Sequence, residues 1–225
     1  MTDQDDGPPR SNRRPLSLLS LPVGVGIGAS AGGPRALLTL LEDFALPRFG
    51  FAFLVQHIHP KFTRILGRRL NETASIPVVE AEDGAVALPG RLYLAPAGHH
   101  LLVERSWPAT FRTRLTDDPP RHGVRPSVDV LFLSLAAVFG PRAIGVVLTG
   151  MGRDGLEGAR AIKAQGGAVF AEAEVSCVVY GMPRAVAEAG LADRLIPIGQ
   201  MAEAIREASL LAADLRSPTM SRVEG

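Results

Sequence analysis

The chain has 225 residues, 46% of them hydrophobic, which is enough for one sizeable core, and its 24 basic and 23 acidic side chains leave a formal charge of +1. Such a balance gives no overall field to recruit nucleic acid or an anionic membrane surface. A single cysteine, Cys177, excludes both an intramolecular disulfide and a thiolate metal site, and reads as a small buried hydrophobe in a reducing compartment.

Residues 1–20, rich in Asp, Pro, Ser and Arg, predict a mobile leader, and the structured part begins near Leu21. Arg13 and Arg14 ahead of the apolar stretch from Leu16 to Gly28, with Ala29-Ser30-Ala31 at its end, formally fit a secretory signal. Pro22 and three glycines interrupt that stretch, and cleavage would discard the first strand, so the expected location is the cytoplasm. No other segment holds the ~20 uninterrupted apolar residues of a membrane span. Val23 to Gly28 reads as a buried strand, followed by a glycine-rich turn and a helix from about Pro34 to Phe44. Phe51 to Gln56 is a continuous apolar run typical of a strand covered on both faces, and a helix from about Pro60 to Asn71 follows it.

From Ile76 to Leu115 short strands alternate with turn residues, which predicts a hairpin-rich insertion. The rhythm then resumes: a helix over Ser127 to Phe139, a strand over Ala143 to Thr149, a helix over Leu156 to Gln165 ending at Gly166-Gly167, and a strand over Ala168 to Ala171. A helix around Pro183 to Ala189, a strand at Arg194 to Ile196, a helix from about Gln200 to Leu215 and a flexible tail over 216–225 complete the chain. Strands alternating with helices imply a doubly wound, mostly parallel α/β sheet with helices on both faces, a Rossmann-like three-layer sandwich.

Three segments fall where a predicted strand hands over to a loop: Gly28-Ala29-Ser30-Ala31-Gly32-Gly33, Gln56-His57-Ile58-His59-Pro60 and Gly150-Met151-Gly152-Arg153-Asp154-Gly155. Doubly wound folds bind ligands outside the carboxyl ends of their strands, so these segments can converge. The first matches G-x-S-x-G, in which glycines let a sharp turn expose a serine hydroxyl, and the N–H groups opening the next helix can receive an oxyanion. Serine needs an imidazole to take its proton and a carboxylate to orient that imidazole, which makes Ser30 the nucleophile, His57 the base and Asp154 the orienting acid. Each has a blander reading: Ser30 as a helix N-cap, His57 as a core histidine, Asp154 with Glu157 as a capping box.

With these motifs, Arg125-Pro-Ser-Val-Asp129 and the run Ser176-Cys-Val-Val-Tyr-Gly-Met-Pro183, the sequence resembles from about Val23 to Ile205 the catalytic domain of the CheB family of protein-glutamate methylesterases. The resemblance implies a serine triad that hydrolyses γ-glutamyl methyl esters on the cytoplasmic helices of chemoreceptor-type proteins, releasing methanol, with glutamine deamidation as a further capability and no cofactor. The enzyme would meet the membrane only peripherally, through its receptors. Met151 or Ala31 supplies an oxyanion N–H under this reading, and Arg125 and Arg153, with Arg35, flank the site as candidate substrate-binding cations. Ala31 stands where many members carry Thr. The 20 residues before Leu21 are too few for the phosphorylatable receiver domain that chemotactic members carry, so a stand-alone form is expected, either constitutive or controlled by a separate regulatory protein.

Three other readings stay open at this stage. Gly26-Ile-Gly28-Ala-Ser-Ala31 also fits the dinucleotide fingerprint, although the second strand ends in Gln56-His57 rather than in the acid that fingerprint needs. His57-x-His59 could pair as metal ligands with His99, His100, His122 or an aspartate. The fold could also survive as a receptor-binding adaptor without catalysis. A general α/β-hydrolase is disfavoured, because its histidine comes last in the triad and none follows His122 here.

Overall fold

Strand β1 (Val23–Ala29) alternates two kinds of residue, and each kind determines what lies on one side of it. Val23, Val25, Ile27 and Ala29 point into one hydrophobic core. Gly24, Gly26 and Gly28 point the other way, where a methyl group would lie 2.3 to 2.4 Å from Phe139, Leu135 and Val128 respectively. Those three side chains belong to helix α3 (Val128–Phe139), which is seated directly on the glycine stripe. The Gly-x-Gly pattern that fits a dinucleotide fingerprint is therefore occupied by close helix–strand packing.

The computed structural model describes residues 21–106 and 110–215, so the expected leader and tail lie outside the described residues. After β1 come α1 (Gly33–Glu42), β2 (Gly50–Gln56), α2 (Pro60–Thr73), β3 (Val78–Glu80) and β4 (Leu92–Leu94). The hairpin β5 (His100–Ser106) and β6 (Thr110–Thr116) precedes α3, and β7 (Ala143–Val147), α4 (Leu156–Ala164), β8 (Ala168–Glu172), α5 (Met182–Glu188), β9 (Arg194–Ile196) and α6 (Ile198–Ala213) follow it. Seven strands form one sheet in the order β3-β4-β2-β1-β7-β8-β9, and every pairing in it is parallel. The expected doubly wound fold is observed, with one refinement. Of the span expected to be hairpin-rich, β3 and β4 join the edge of the parallel sheet, and the two-stranded antiparallel sheet is β5–β6. Three-residue strands such as Leu-Tyr-Leu are too short to carry a periodicity that separates these cases.

Helices α1, α2 and α6 cover one face through residues such as Leu37, Leu70 and Ile205, while α3, α4 and α5 cover the other. The hairpin extends this second layer: Phe111 stacks on Phe139 at 4.9 Å and meets Phe51 edge-on at the same distance. Each such buried side chain contributes about 1.5–3 kcal/mol relative to exposure. Among the described residues, no helix is long and apolar enough to cross a membrane.

Candidate active site

The sheet order reverses at β1, whose neighbours are β2, the next strand in the chain, and β7, some 120 residues later. Ligand clefts of doubly wound sheets open at the carboxyl end of such a switch point, and the loops leaving β1, β2 and β7 there carry Ser30, His57 and Asp154.

Ser30 follows β1, half-buried, and its N–H donates to the Thr149 carbonyl at 3.0 Å. Its own carbonyl accepts the Gly33 N–H at 2.9 Å, which starts α1. The left-handed residue that makes the turn tight is Gly32, with φ +83°, and Ser30 itself has no positive φ. The serine thus lacks the strained elbow conformation that the sequence pattern suggests. Gly150 leaves room for it, since a methyl group there would lie 2.7 Å from Ser30 Cβ.

His57 follows β2, and its Nε2 donates to Asp154 Oδ2 at 2.8 Å, so its proton sits on Nε2 and Nδ1 is the nitrogen left as an acceptor. Among the described residues no hydrogen bond joins Ser30 Oγ to His57; the strands bring their backbones together, the His57 N–H donating to the Ala29 carbonyl at 2.9 Å.

Asp154 is 3% exposed and its carboxylate is saturated. Besides His57, Oδ2 accepts the Val128 N–H at 2.7 Å, while Oδ1 accepts the Ser127 hydroxyl at 2.7 Å and the Asp129 and Gly155 N–H groups at 3.0 Å each. Burial alone would push its pKa up and is the largest single influence. The hydrogen bonds from His57, Asp129, Val128 and Ser127 together outweigh it and hold the carboxyl below its ordinary value. Three of these donors open α3, where a helix favours negative charge. The capping-box expectation was a local one, whereas here the aspartate caps a helix that precedes it in the chain. Ser127 makes no side-chain bond to its own helix.

The remaining expected residues spread around this core. The Ala31 and Met151 amides have no acceptor among the described residues, and Met151 is 78% exposed. Arg153 is exposed beside them. Arg125, expected as a candidate substrate-binding cation, donates from Nη1 to the Asp117 and Asp118 carbonyls at 2.7 and 3.0 Å, bracing the loop before α3. Arg35, Thr39, Thr149 and Cys177 line a cavity of about 440 Å³ beside the nucleophile turn. Burial first, then Glu172, pushes the Cys177 thiol up to about 12, so it offers no thiolate to rival the serine.

The metal-pair reading fails on geometry. His59 caps α2 by accepting the Lys61 N–H, His99 pairs with Asp117 at 2.7 Å, and His100 accepts the Ser127 N–H at 3.1 Å. His122, Asp129 and Asp154 do approach one another. Their facing atoms are already engaged, His122 Nε2 with Asp129 Oδ2 and the Gly158 N–H with Asp129 Oδ1, both at 2.8 Å.

Sequence reasoning missed Ser127 and the amides of α3 as holders of Asp154, although a Ser-Val-Asp run opening a helix is a visible anion-binding signal. It missed Thr149 as well. The Thr149 hydroxyl donates to the Ala31 carbonyl at 2.9 Å, and its N–H donates to the buried Glu172 carboxylate at 2.8 Å.

Comparison with known proteins adds to this geometry. A protein-family model described as CheB methylesterase matches residues 25–205. A protein-glutamate methylesterase/protein-glutamine glutaminase of Myxococcus xanthus is 45% identical over 198 residues, covering 88% of this chain and 57% of the relative. Its counterpart in Moorella thermoacetica is 48% identical over 181 residues, covering 80% of this chain and 43% of the relative. The chain thus spans about half the length of the curated relatives it matches. The crystal structure of the Thermotoga maritima CheB methylesterase catalytic domain superimposes with a TM-score of 0.78 at 36% identity, covering 85% of this chain and 99% of that one.

Proposed function

We propose, for a chain that belongs to the CheB methylesterase family, that it is a serine esterase hydrolysing γ-glutamyl methyl esters on the cytoplasmic helices of chemoreceptor-type proteins. The observation that carries this reading is the 2.8 Å bond from His57 to a saturated, buried Asp154, at the same sheet edge as a half-buried serine.

Ser30 Oγ attacks the ester carbonyl while His57 Nδ1 takes its proton, in a contact that closes once substrate is in place. Asp154, held anionic by five donors against the cost of its burial, stabilises the imidazolium through Nε2. The Ala31 and Met151 amides receive the oxyanion. His57 returns the proton to the departing methoxide, releasing methanol, and water then cleaves the acyl-enzyme by the same relay to leave glutamate and free serine. A glutamine side chain would pass through the same steps with ammonia as the leaving group, in keeping with the second activity in the relatives' names. The domain works in the cytoplasm.

The test is methanol release from radiolabelled, methylated receptor membranes. The wild type is expected to release it, and Ser30→Ala is expected to lose at least about 10⁴-fold in rate while staying folded. Release that survives Ser30→Ala, or no release from several methylated receptors, would overturn the reading, the second outcome favouring the adaptor.

A further inference from the structure

Gln56 is an anomaly in the last position of β2. It is 2% exposed in a strand that is otherwise apolar, and its Oε1 is buried without a hydrogen-bond partner among the described residues. A native protein rarely leaves a buried acceptor without a donor, because its lost hydration is not replaced. The orphan is not an error of amide orientation. Gln56 Nε2 donates to two carbonyls, of Ser30 at 2.8 Å and of His57 at 2.9 Å, and a flipped amide would set oxygen against both. The neighbouring backbone is shaped around it, since a methyl group on Gly33 would lie 2.0 Å from Oε1.

We infer that Gln56 is a positioning residue for the esterase reaction: its amide clamps the nucleophile's peptide to the base's peptide and fixes the approach of Ser30 Oγ to His57 Nδ1. This rests on the reading given under Proposed function. The two functional residues sit on adjacent strands with no side-chain bond between them. Backbone pairing joins the strands up to Ala29 and Gln56, and the His57 N–H reaches back to the Ala29 carbonyl. Beyond that point the β1 loop turns into α1 and the β2 loop turns toward α2. The Gln56 amide spans the divergence, reaching one carbonyl on each branch. Apolar side chains of similar size would fill the same volume without an orphaned oxygen, but they would leave the two branches free to drift. Misplacement of reacting groups by about 1 Å costs on the order of a hundredfold in rate.

The test compares wild type and Gln56→Met in the full chain by kcat and KM for methanol release, the rate at which a fluorophosphonate labels Ser30, and the melting temperature. The labelling reports nucleophile–base alignment without the receptor. Gln56→Met is expected to lower kcat and the labelling rate together by about ten- to a hundredfold, with KM within about twofold, as misalignment predicts. Gly33→Ala, which displaces the amide from the opposite side, is expected to do the same and serves if Gln56→Met fails to fold. Wild-type labelling and kcat in either folded variant, or a loss confined to KM, would overturn the clamp. A wild type that neither labels nor releases methanol would overturn the esterase reading and the clamp with it; a wild type that does both leaves the clamp to stand or fall on its own variants.

Discussion

The two sides of the site differ in how completely their polar groups are satisfied. On the Asp154 side every partner is in place: a buried carboxylate takes hydrogen bonds from an imidazole, a hydroxyl and three amides. On the Ser30 side the hydroxyl has no bond to His57, the Ala31 and Met151 amides have no acceptor among the described residues, and Gln56 leaves an oxygen orphaned. On the proposed mechanism, the contrast follows from when each group acts. A charge that must stay fixed through the whole cycle is stabilised in the resting protein, whereas donors meant for a charge that develops later must be oriented but empty beforehand.

That contrast can be broken from the saturated side first. Asp154→Asn places an NH₂ where Oδ2 now accepts from His57 and from the Val128 N–H, which drives the imidazole into the wrong tautomer. The expected loss is about 10⁴-fold in kcat, read by methanol release, together with a lower melting temperature from unsatisfied donors. On the empty side, Met151→Pro removes an amide that bonds nothing at rest. A hundredfold or so should go from kcat with almost no change in melting temperature; full activity would remove Met151 from the oxyanion site. Ser127→Ala deletes one of several donors to Asp154 and should cost about 1.5–3 kcal/mol in stability, seen in urea unfolding, with a smaller fall in kcat than the asparagine change.

The gentlest probe is acid. Folding lowers the Asp154 pKa below its ordinary 3.8, so the unfolded chain takes the proton more readily. The stability this gives is present above about pH 4 and is lost as pH falls through the folded value. The melting-temperature gap between wild type and Asp154→Asn should therefore narrow between pH 6 and pH 3. A gap that does not change would mean that the carboxylate's charge is not what the α3 amides hold.

What the sequence could and could not reveal follows the range of the interactions. The β–α alternation is local, and it led to a doubly wound sheet whose helix and strand positions shift by only a few residues in the structure. The apolar run before Gln56 and the glycines around Ser30 marked strand ends, so the three principal side chains could be proposed from position alone. The role of Gly24, Gly26 and Gly28 could not be read, because it depends on which helix returns to cover β1. Nor could the partners of Asp154, since an aspartate 25 to 27 residues after the helix start it caps leaves no periodic trace. The loop carbonyls that Arg125 holds were hidden for a related reason, since they too lie in a segment whose path the sequence does not show.

The order of strands in the sheet also sets a schedule for the newborn protein. β1, β2, β3 and β4 lie contiguously at one side of the sheet and are made first, whereas β7, whose loop bears Asp154, must dock against the far side of β1. His57 and Asp154 are separated by 97 residues, which at about 5–20 residues per second is roughly 5–20 s of synthesis. During that interval the nascent chain holds Ser30 and His57 but not yet Asp154. On the proposed mechanism, full activity therefore waits until the second half of the sheet has closed on the first and brought Asp154 to His57.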